Sequence, residues 1–310
     1  MRRIKFRKPY KLKNYRFGLV ALVLVLSIIG ILVVGSANES YQSKQILGVV
    51  IGLVVMAIVS LIDYVWIANF YWILYGMSVF MLAIVLIPGI GVYVNGARRW
   101  INLGFTNFQP SELAKILLII FFAKFIMKHE EDLSEKQTIL KAVILIAIPL
   151  ALIYKEPNLS TTICTATLFC FLMYVGGLSY RFIGTVLLIT VPVAVIFLSI
   201  VVQPNQKLLD NYQQKRILAW LEPEKYASDE AYQQINSVMA IGSGQLTGKG
   251  LNNNTTTSVK NGNFILEPQT DFIFAIVGEE LGFLGCCLII ALLLLIVIDC
   301  ILIGTHAQDT

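Results

Sequence analysis

The sequence predicts an all-α polytopic membrane protein, and three observations support this fold class. Hydrophobic residues make up 57% of the 310 residues and charged residues only 14%, a balance that soluble domains do not show. Apolar stretches recur along the chain, and most are long enough to cross a bilayer as a helix. The first sixteen residues are rich in Lys and Arg and contain no Asp or Glu, as is typical of a cytoplasmic tail before a membrane anchor.

About eight transmembrane helices are predicted from these apolar stretches. The fourth and fifth are short for a span, because a run under about 17 residues can also be tilted or lie at the interface. The stretches are residues 17–35, 46–62, 70–88, 113–127, 141–154, 163–178, 182–202 and 272–303.

The first stretch has two interpretations. Its basic start and the small residues at 35–37 would suit a cleaved signal peptide. Its apolar run of about 19 residues is longer than a usual signal core, and further spans follow. An uncleaved anchor is therefore expected.

The positive-inside rule places the basic tail in the cytoplasm, so that alternate loops face outward. A loop of about 68 residues before the last span is expected to contain structure of its own. The net charge of +5 mostly reflects the tail, which indicates topology and adhesion to anionic lipid rather than nucleic-acid binding. The predicted regions are a tail (1–16), seven helices (17–202), an extracytoplasmic loop (203–271), an eighth helix (272–303) and a short end (304–310).

Cysteine and histidine positions argue against several kinds of site. The two histidines, His129 and His306, fall on the predicted cytoplasmic side, which excludes a histidine-based site on the outer face. No metal site is predicted, because no cysteine has metal-ligand spacing with another Cys or a His. Packing is the expected role of the five cysteines, Cys164, Cys170, Cys286, Cys287 and Cys300.

The glycine-rich segment AIGSGQLTGKGL, from Ala240 to Leu251, only superficially resembles a P-loop. Ser243 stands where the first glycine of G-x-x-x-x-G-K-[ST] is required, and Gly250 follows Lys249 in place of Ser or Thr. We therefore expect a flexible turn that presents Lys249, and no ATP site.

A polar segment between the third and fourth spans, NGARRWINLGFTNFQPSELAK, carries the first candidate site. Arg98 and Arg99 lie on the predicted outer side, against the usual bias of basic residues. An arginine fork matches a phosphate with two hydrogen bonds, which would explain their position. Trp100 suits the depth of the lipid headgroups or the face of a sugar.

The same segment predicts a helix that begins at Pro110 with Glu112 in its first turn. Lys115 enters the apolar run within i+3 reach of Glu112, and a charge inside a span is a candidate functional residue. Two interpretations remain for these charges. They could form a site for an anionic headgroup, or Lys115 could snorkel beside a capped helix.

Carboxylates cluster where the long loop meets the last span, in FILEPQTDFIFAIVGEELG. Pro268 predicts the helix start, which would leave Asp271 in the first turn, where the helix dipole favours an ionised side chain. An ionised aspartate can accept a proton from a substrate hydroxyl.

Two further acids, Glu279 and Glu280, follow along the same helix, near the predicted outer boundary. We expect them to pair with cationic groups such as Lys115 or Arg99. Close helix packing is expected at three glycines, Gly278, Gly282 and Gly285.

These motifs resemble the SEDS family (shape, elongation, division and sporulation), which includes FtsW, RodA and SpoVE. GARRWINLGF…FQPSELAK, IGSGQLTGKG and EPQTDFIFAIVGEELGFLG carry the resemblance, which covers essentially the whole chain in order. It implies a peptidoglycan glycosyltransferase in the bacterial cell membrane that polymerises lipid II. It also implies a class B penicillin-binding protein as partner, with other divisome or elongasome proteins.

The resemblance also implies residue roles. Asp271, in the motif TDFIFA, would be the catalytic base that deprotonates the GlcNAc 4-hydroxyl of one lipid II. Trp100 and Gln109 match positions that line the family's cavity. No cofactor is identified, although a divalent cation bridging the pyrophosphate would need few protein ligands. The predicted substrate-binding residues are Arg98, Arg99, Trp100, Gln109, Glu112, Lys115, Lys249, Glu279 and Glu280.

Two departures from the family pattern stand out. The family's Q-P-D-L-G-T is replaced by EPNLST, which places Asn158 where the family has Asp. Family members have ten spans, and this chain is expected to lack the last two, which would leave its cavity without one wall. The alternatives to an enzyme are a flippase for the lipid-linked precursor and a non-catalytic scaffold for the penicillin-binding protein.

Overall fold

The computed structural model describes residues 15–94, 97–102, 104, 107–203, 206, 211–228, 231–253, 258, 262, 264–265 and 267–306. Most of the basic tail and part of the short C-terminal end therefore lie outside the described residues. Helices dominate the described chain, and three short strands lie between the fourth and fifth helices. The chain divides into two compact units, residues 58–198 and residues 1–57 together with 199–310.

Eleven helices occur in the described residues. They are α1 (Phe17–Ala37), α2 (Glu39–Ser60), α3 (Tyr64–Asn69), α4 (Tyr71–Val85), α5 (Pro110–Lys128), α6 (Lys136–Lys155), α7 (Leu159–Val175), α8 (Tyr180–Val201), α9 (Asn211–Leu221), α10 (Tyr232–Ser243) and α11 (Ile273–Thr305).

Each predicted span overlaps one of these helices. Five helices in the described chain are long and apolar enough to cross a membrane, namely α1, α2, α6, α8 and α11. Two more apolar helices, α4 and α7, are shorter. No residue of α2 is buried although the helix is strongly apolar, which is the pattern of a helix that faces lipid. The protein is thus a multi-pass, predominantly α-helical membrane protein.

The predicted long loop contains two helices, α9 and α10, so the expectation that it has structure of its own is confirmed. A small sheet between α4 and α5 was not predicted. Strands β1 (Gly91–Val94), β2 (Ala97–Asn102) and β3 (Asn107–Phe108) pair antiparallel in that order, with Val92 opposite Trp100 and Ile101 opposite Phe108. The strands were missed because each is short and carries no clear alternation of apolar and polar residues.

The core of the unit 58–198 is built on α5, which carries buried Phe121, Phe122 and Phe125. Tyr75 of α4 packs against Phe121 and donates a 2.8 Å hydrogen bond to the carbonyl of Leu145 on α6. These contacts fix α5, and with it Glu112 in its first turn and Lys115 in its second. The predicted helix start at Pro110 is confirmed.

In the other unit, α11 packs against both α10 and α1. Its N-terminal part is buried continuously from Ala275 to Glu280. The helix is broken at Gly282, whose φ of 67° and ψ of −164° are not helical. This break divides α11 into a short N-terminal half that carries the acids and a long apolar C-terminal half.

Candidate functional site

Asp271 is exposed and lies just ahead of α11, which begins at Ile273 with Phe272 at its N-cap. The prediction that Pro268 starts the helix, with Asp271 in the first turn, is therefore wrong. Residues 268–272 form turns instead, and the Thr270 amide donates to the carbonyl of Glu267 at 3.2 Å. The helix begins only where burial against its neighbours begins, because packing stabilises a helix more than local propensity does.

The two later acids are buried, with Glu279 fully inaccessible and Glu280 at 1% exposure. The Lys249 ammonium lies 2.8 Å from one Glu279 carboxylate oxygen, and the Ser258 hydroxyl donates to the other at 3.5 Å. The described ion pair of Glu279 is thus with Lys249, while the predicted pairing with Lys115 or Arg99, which lie in the other unit, stays a prediction.

Glu280 is hydrogen-bonded to a residue of α1. The Ser36 hydroxyl of α1 donates to its carboxylate at 2.6 Å and accepts a 3.1 Å hydrogen bond from the Asn252 amide. A charge-assisted O–H···O bond of this length is strong. Ser36 therefore links α1, α11 and the segment after Lys249, a role that no feature of its apolar neighbourhood in the sequence indicated.

The glycine-rich segment is interlocked with the break in α11. In an unbroken helix the amides of Phe283 and Leu284 would donate to the carbonyls of Glu279 and Glu280. Here they donate to the carbonyls of Gln245 and Leu246, at 2.8 and 3.1 Å. The two freed carbonyls accept from the amides of Lys249 and Gly250, each at 2.9 Å.

This exchange gives a hydrogen-bond partner to each of these four backbone groups, and backbone groups need such partners where a helix is interrupted inside a membrane protein. The expected flexible turn is therefore a packed element. The sequence showed only that the segment is not a P-loop. Its partner, the break in α11, lies some thirty residues further along the chain and could not be predicted from the sequence.

In the other unit, Arg99 on β2 holds the turn between α6 and α7. Its guanidinium donates to the backbone carbonyls of Glu156 at 3.3 Å and of Pro157 at 3.0 Å. The Arg99 guanidinium, which was predicted to bind a phosphate, thus donates to two backbone carbonyls in this structure. Arg98, its neighbour on the same strand, is half-buried.

A family model described as "Cell cycle protein", for FtsW, RodA and SpoVE, matches residues 11–310. The chain belongs to this family. Peptidoglycan glycosyltransferase MrdB of Escherichia coli is 32% identical over 300 residues, which cover 94% of this chain and 76% of MrdB. A probable peptidoglycan glycosyltransferase FtsW of Trichlorobacter lovleyi is 32% identical over 316 residues, covering 98% of this chain and 80% of that protein.

Two solved structures share the fold of this FtsW/RodA/SpoVE protein. One is a chain from a study of polymerization and crosslinking by a peptidoglycan synthase complex, with a TM-score of 0.75, 24% identity, and coverage of 96% of this chain and 80% of that one. The other is the rod shape determining protein RodA of Thermus thermophilus, with a TM-score of 0.62, 22% identity, and coverage of 96% and 77%. The predicted all-α polytopic fold is confirmed.

The motif EPNLST, at which this family member departs from the pattern, forms the turn that Arg99 holds. Asn158 caps α7, because its side chain accepts from the Thr161 amide at 3.3 Å. Glu156 is fully buried, and neither of its carboxylate oxygens has a hydrogen-bond partner in the described chain. Burial raises the pKa of Glu156 to about 8, and nearby Arg99 offsets part of that effect.

Sequence reasoning noticed the substitution at Asn158 and passed over Glu156, two residues earlier. The acid stands where the family pattern has a glutamine, and that replacement was the available signal. A carboxyl with a pKa near 8 is largely protonated at neutral pH and then resembles the glutamine it replaces in charge.

The other predicted residues lie on β2 and around the start of α5. Glu112 and Lys115 form the expected i,i+3 ion pair, with 2.9 Å between ammonium and carboxylate. The Gln109 side-chain amide donates to the Ser111 hydroxyl at 3.0 Å, and Trp100 is half-buried on β2, which packs against α5. The sheet and α5 therefore bring Arg98, Trp100, Gln109, Glu112 and Lys115 to one end of this unit.

Among the described residues, no group of three or more His, Cys, Asp or Glu side chains could hold a metal ion.

Proposed function

We propose that this protein is a peptidoglycan glycosyltransferase that polymerises lipid II at the outer face of the bacterial cell membrane. One observation carries the proposal. Asp271, in the TDFIFA motif, is exposed, whereas Glu279 and Glu280 on the same helix are buried and bonded. Of these three acids, only Asp271 is accessible to a substrate. The names of the relatives support the reaction, since MrdB is a peptidoglycan glycosyltransferase.

In the proposed reaction, Asp271 accepts the proton of the 4-hydroxyl on the GlcNAc of one lipid II. The hydroxyl oxygen forms a bond to the anomeric carbon of the second substrate. The bond from that carbon to the phosphate oxygen breaks, and undecaprenyl pyrophosphate leaves with the bonding electrons. A single displacement inverts the anomeric centre and needs one base, unlike a retaining site with two carboxylates.

The substrate contacts in this proposal come from the end of the unit 58–198 formed by β2 and α5. Arg98 would bind the pyrophosphate, and Lys115, held by Glu112, would add positive charge beside it. Trp100 and Gln109 would contact the sugar. Lys249, Glu279 and Glu280 are bonded among themselves or to Ser36 and Ser258, so direct substrate contact is not assigned to them.

We also propose that the N-terminus is cytoplasmic and that the protein works with a class B penicillin-binding protein in the divisome or elongasome. The basic tail supports the orientation. The similar chain from a peptidoglycan synthase complex supports a penicillin-binding partner in general. A divalent cation could enter with the pyrophosphate of the substrate.

The decisive experiment is polymerisation of purified lipid II by the purified protein in detergent. Glycan strands should form, and D271N should abolish them while the variant keeps its fold. Glu267 is also exposed in the segment just before α11 and provides a matched control, because E267Q should retain activity. Full activity of D271N would remove Asp271 from the mechanism. A wild-type protein that moves lipid II across vesicles without polymerising it would favour the flippase.

A further inference from the structure

We propose that Lys249 and Glu279 are positioning residues, whose ion pair locks the glycine-rich segment into the break of α11 and thereby fixes Asp271. This role rests on the proposed glycosyltransferase activity. It differs from the sequence-based expectation that Lys249 binds the substrate.

The ion pair is buried on the acid side. The Glu279 side chain is 1% exposed and that of Lys249 is 25% exposed, with 2.8 Å between them. If the ammonium turned outward to a phosphate, it would leave a buried carboxylate without its cation, which is strongly unfavourable. The ion pair therefore keeps Lys249 at α11.

The backbone exchange strengthens the same contact. The amide of Lys249 donates to the carbonyl of Glu279, so these two residues are joined by both side chain and backbone. The neighbouring pairs, Gly250 with Glu280 and Phe283 with Gln245, extend the contact on either side. The segment 244–250 thus acts as a clamp on α11, and Lys249 supplies its charged contact.

The clamp holds the short half-helix 273–281, and Asp271 lies two residues before that half-helix. The segment on the other side of Asp271 is also anchored, because the Asn236 side chain of α10 donates to the carbonyl of Phe264 at 2.9 Å. Ile265 packs with Ala240 and Ala275 in a small core. Asp271 therefore lies between two anchored segments. Residues 264–265 are held by α10, and the half-helix is held by α10 and the clamp.

Kinetics of neutral variants test this assignment. K249Q and E279Q should each lower kcat for lipid II polymerisation by on the order of 10²-fold, the cost of a displaced catalytic group, with KM unchanged. The double variant K249Q/E279Q should lose no more than the worse single variant, because both remove one contact. An exposed ion pair in the same unit, Lys225 with Glu222, supplies the control, and K225Q should behave as wild type.

A higher KM in K249Q with normal kinetics in E279Q would overturn the proposal. It would show that Lys249 binds the substrate directly. Additive losses in the double variant would also overturn it.

Hydrogen exchange supplies a measurement that does not need activity. The amides of Lys249, Gly250, Phe283 and Leu284 should be protected in the wild-type protein and exchange at least tenfold faster in K249Q. Unchanged protection in K249Q would contradict the clamp. If the wild-type protein made no polymer, the proposed activity would fail, and this exchange experiment would still decide whether the clamp exists.

Discussion

Gly282 and Gly248 meet backbone to backbone at the break in α11, so closely that a Cβ on Gly282 would lie 2.3 Å from the Gly248 amide nitrogen. Both residues also have positive φ, 67° and 80°, a conformation that residues with a side chain rarely adopt. Sterics and backbone conformation therefore both require glycine at these two positions.

Alanine at either position should destabilise the protein. G282A or G248A is expected to cost at least about 1–3 kcal/mol, because the new Cβ meets backbone atoms and the positive φ is strained. The measurement is the apparent Tm of the purified protein in detergent. A Cβ added to Gly52 on α2 would meet nothing within 4 Å, so G52A is the control and should not lower the Tm. A Tm for G282A equal to that of G52A would contradict the close approach.

The neighbouring arginines should have separable effects. R99Q removes the donor for two backbone carbonyls and is expected to lower stability by about 1–3 kcal/mol, seen as a lower apparent Tm. R98Q should instead raise the lipid II concentration required for half-maximal rate, because Arg98 is the proposed pyrophosphate contact. If R99Q kept its Tm and raised that concentration, Arg99 would be the substrate ligand and its contacts with the turn would be incidental.

Glu156 predicts a pH dependence of stability. Its pKa is about 8 in the folded protein and has an ordinary value of 4.5. Between these values the folded state binds more protons than the unfolded state, so stability falls as pH rises through this window. Below about 4.5 both states are protonated, and above about 8 both are ionised, so the dependence levels off at each end.

The apparent Tm should therefore decrease from pH 5 to pH 8 in the wild-type protein, and the decrease should be smaller in E156Q. Glu131 is exposed, so E131Q should keep the slope of the wild type. Equal slopes in E156Q and wild type would show that another group causes the dependence.

The spans could be predicted well because their signal is local. Each predicted stretch overlaps a helix, and the apolar stretch 272–303 agrees with α11 to within two residues at each end, although the helix start predicted at Pro268 was wrong. The start of α5 at Pro110 and the pair of Glu112 with Lys115 were also predictable, since both depend on residues less than one turn apart.

The contacts of the candidate site residues could not be predicted from the sequence. Sequence motifs selected Asp271, Lys249 and Glu279, and the resemblance to a known family connected them with one reaction. The motifs did not show that Lys249 forms an ion pair with Glu279, or that Ser36 donates a hydrogen bond to Glu280. The replacement of the family's glutamine marked Glu156 as unusual, but its burial could not be predicted because it depends on tertiary packing.

The sequence alone determined that this chain is a membrane protein of many helices and which polar motifs interrupt them, because hydropathy and turn chemistry act over a few residues. The tertiary structure decided where α11 starts, where it breaks and which partner each charge takes. Those outcomes depend on backbone groups and side chains from segments 30 to 244 residues apart, as in Lys249 with Glu279 and Ser36 with Glu280. Burial makes each such contact costly to lose, and burial exists only once the segments have packed together.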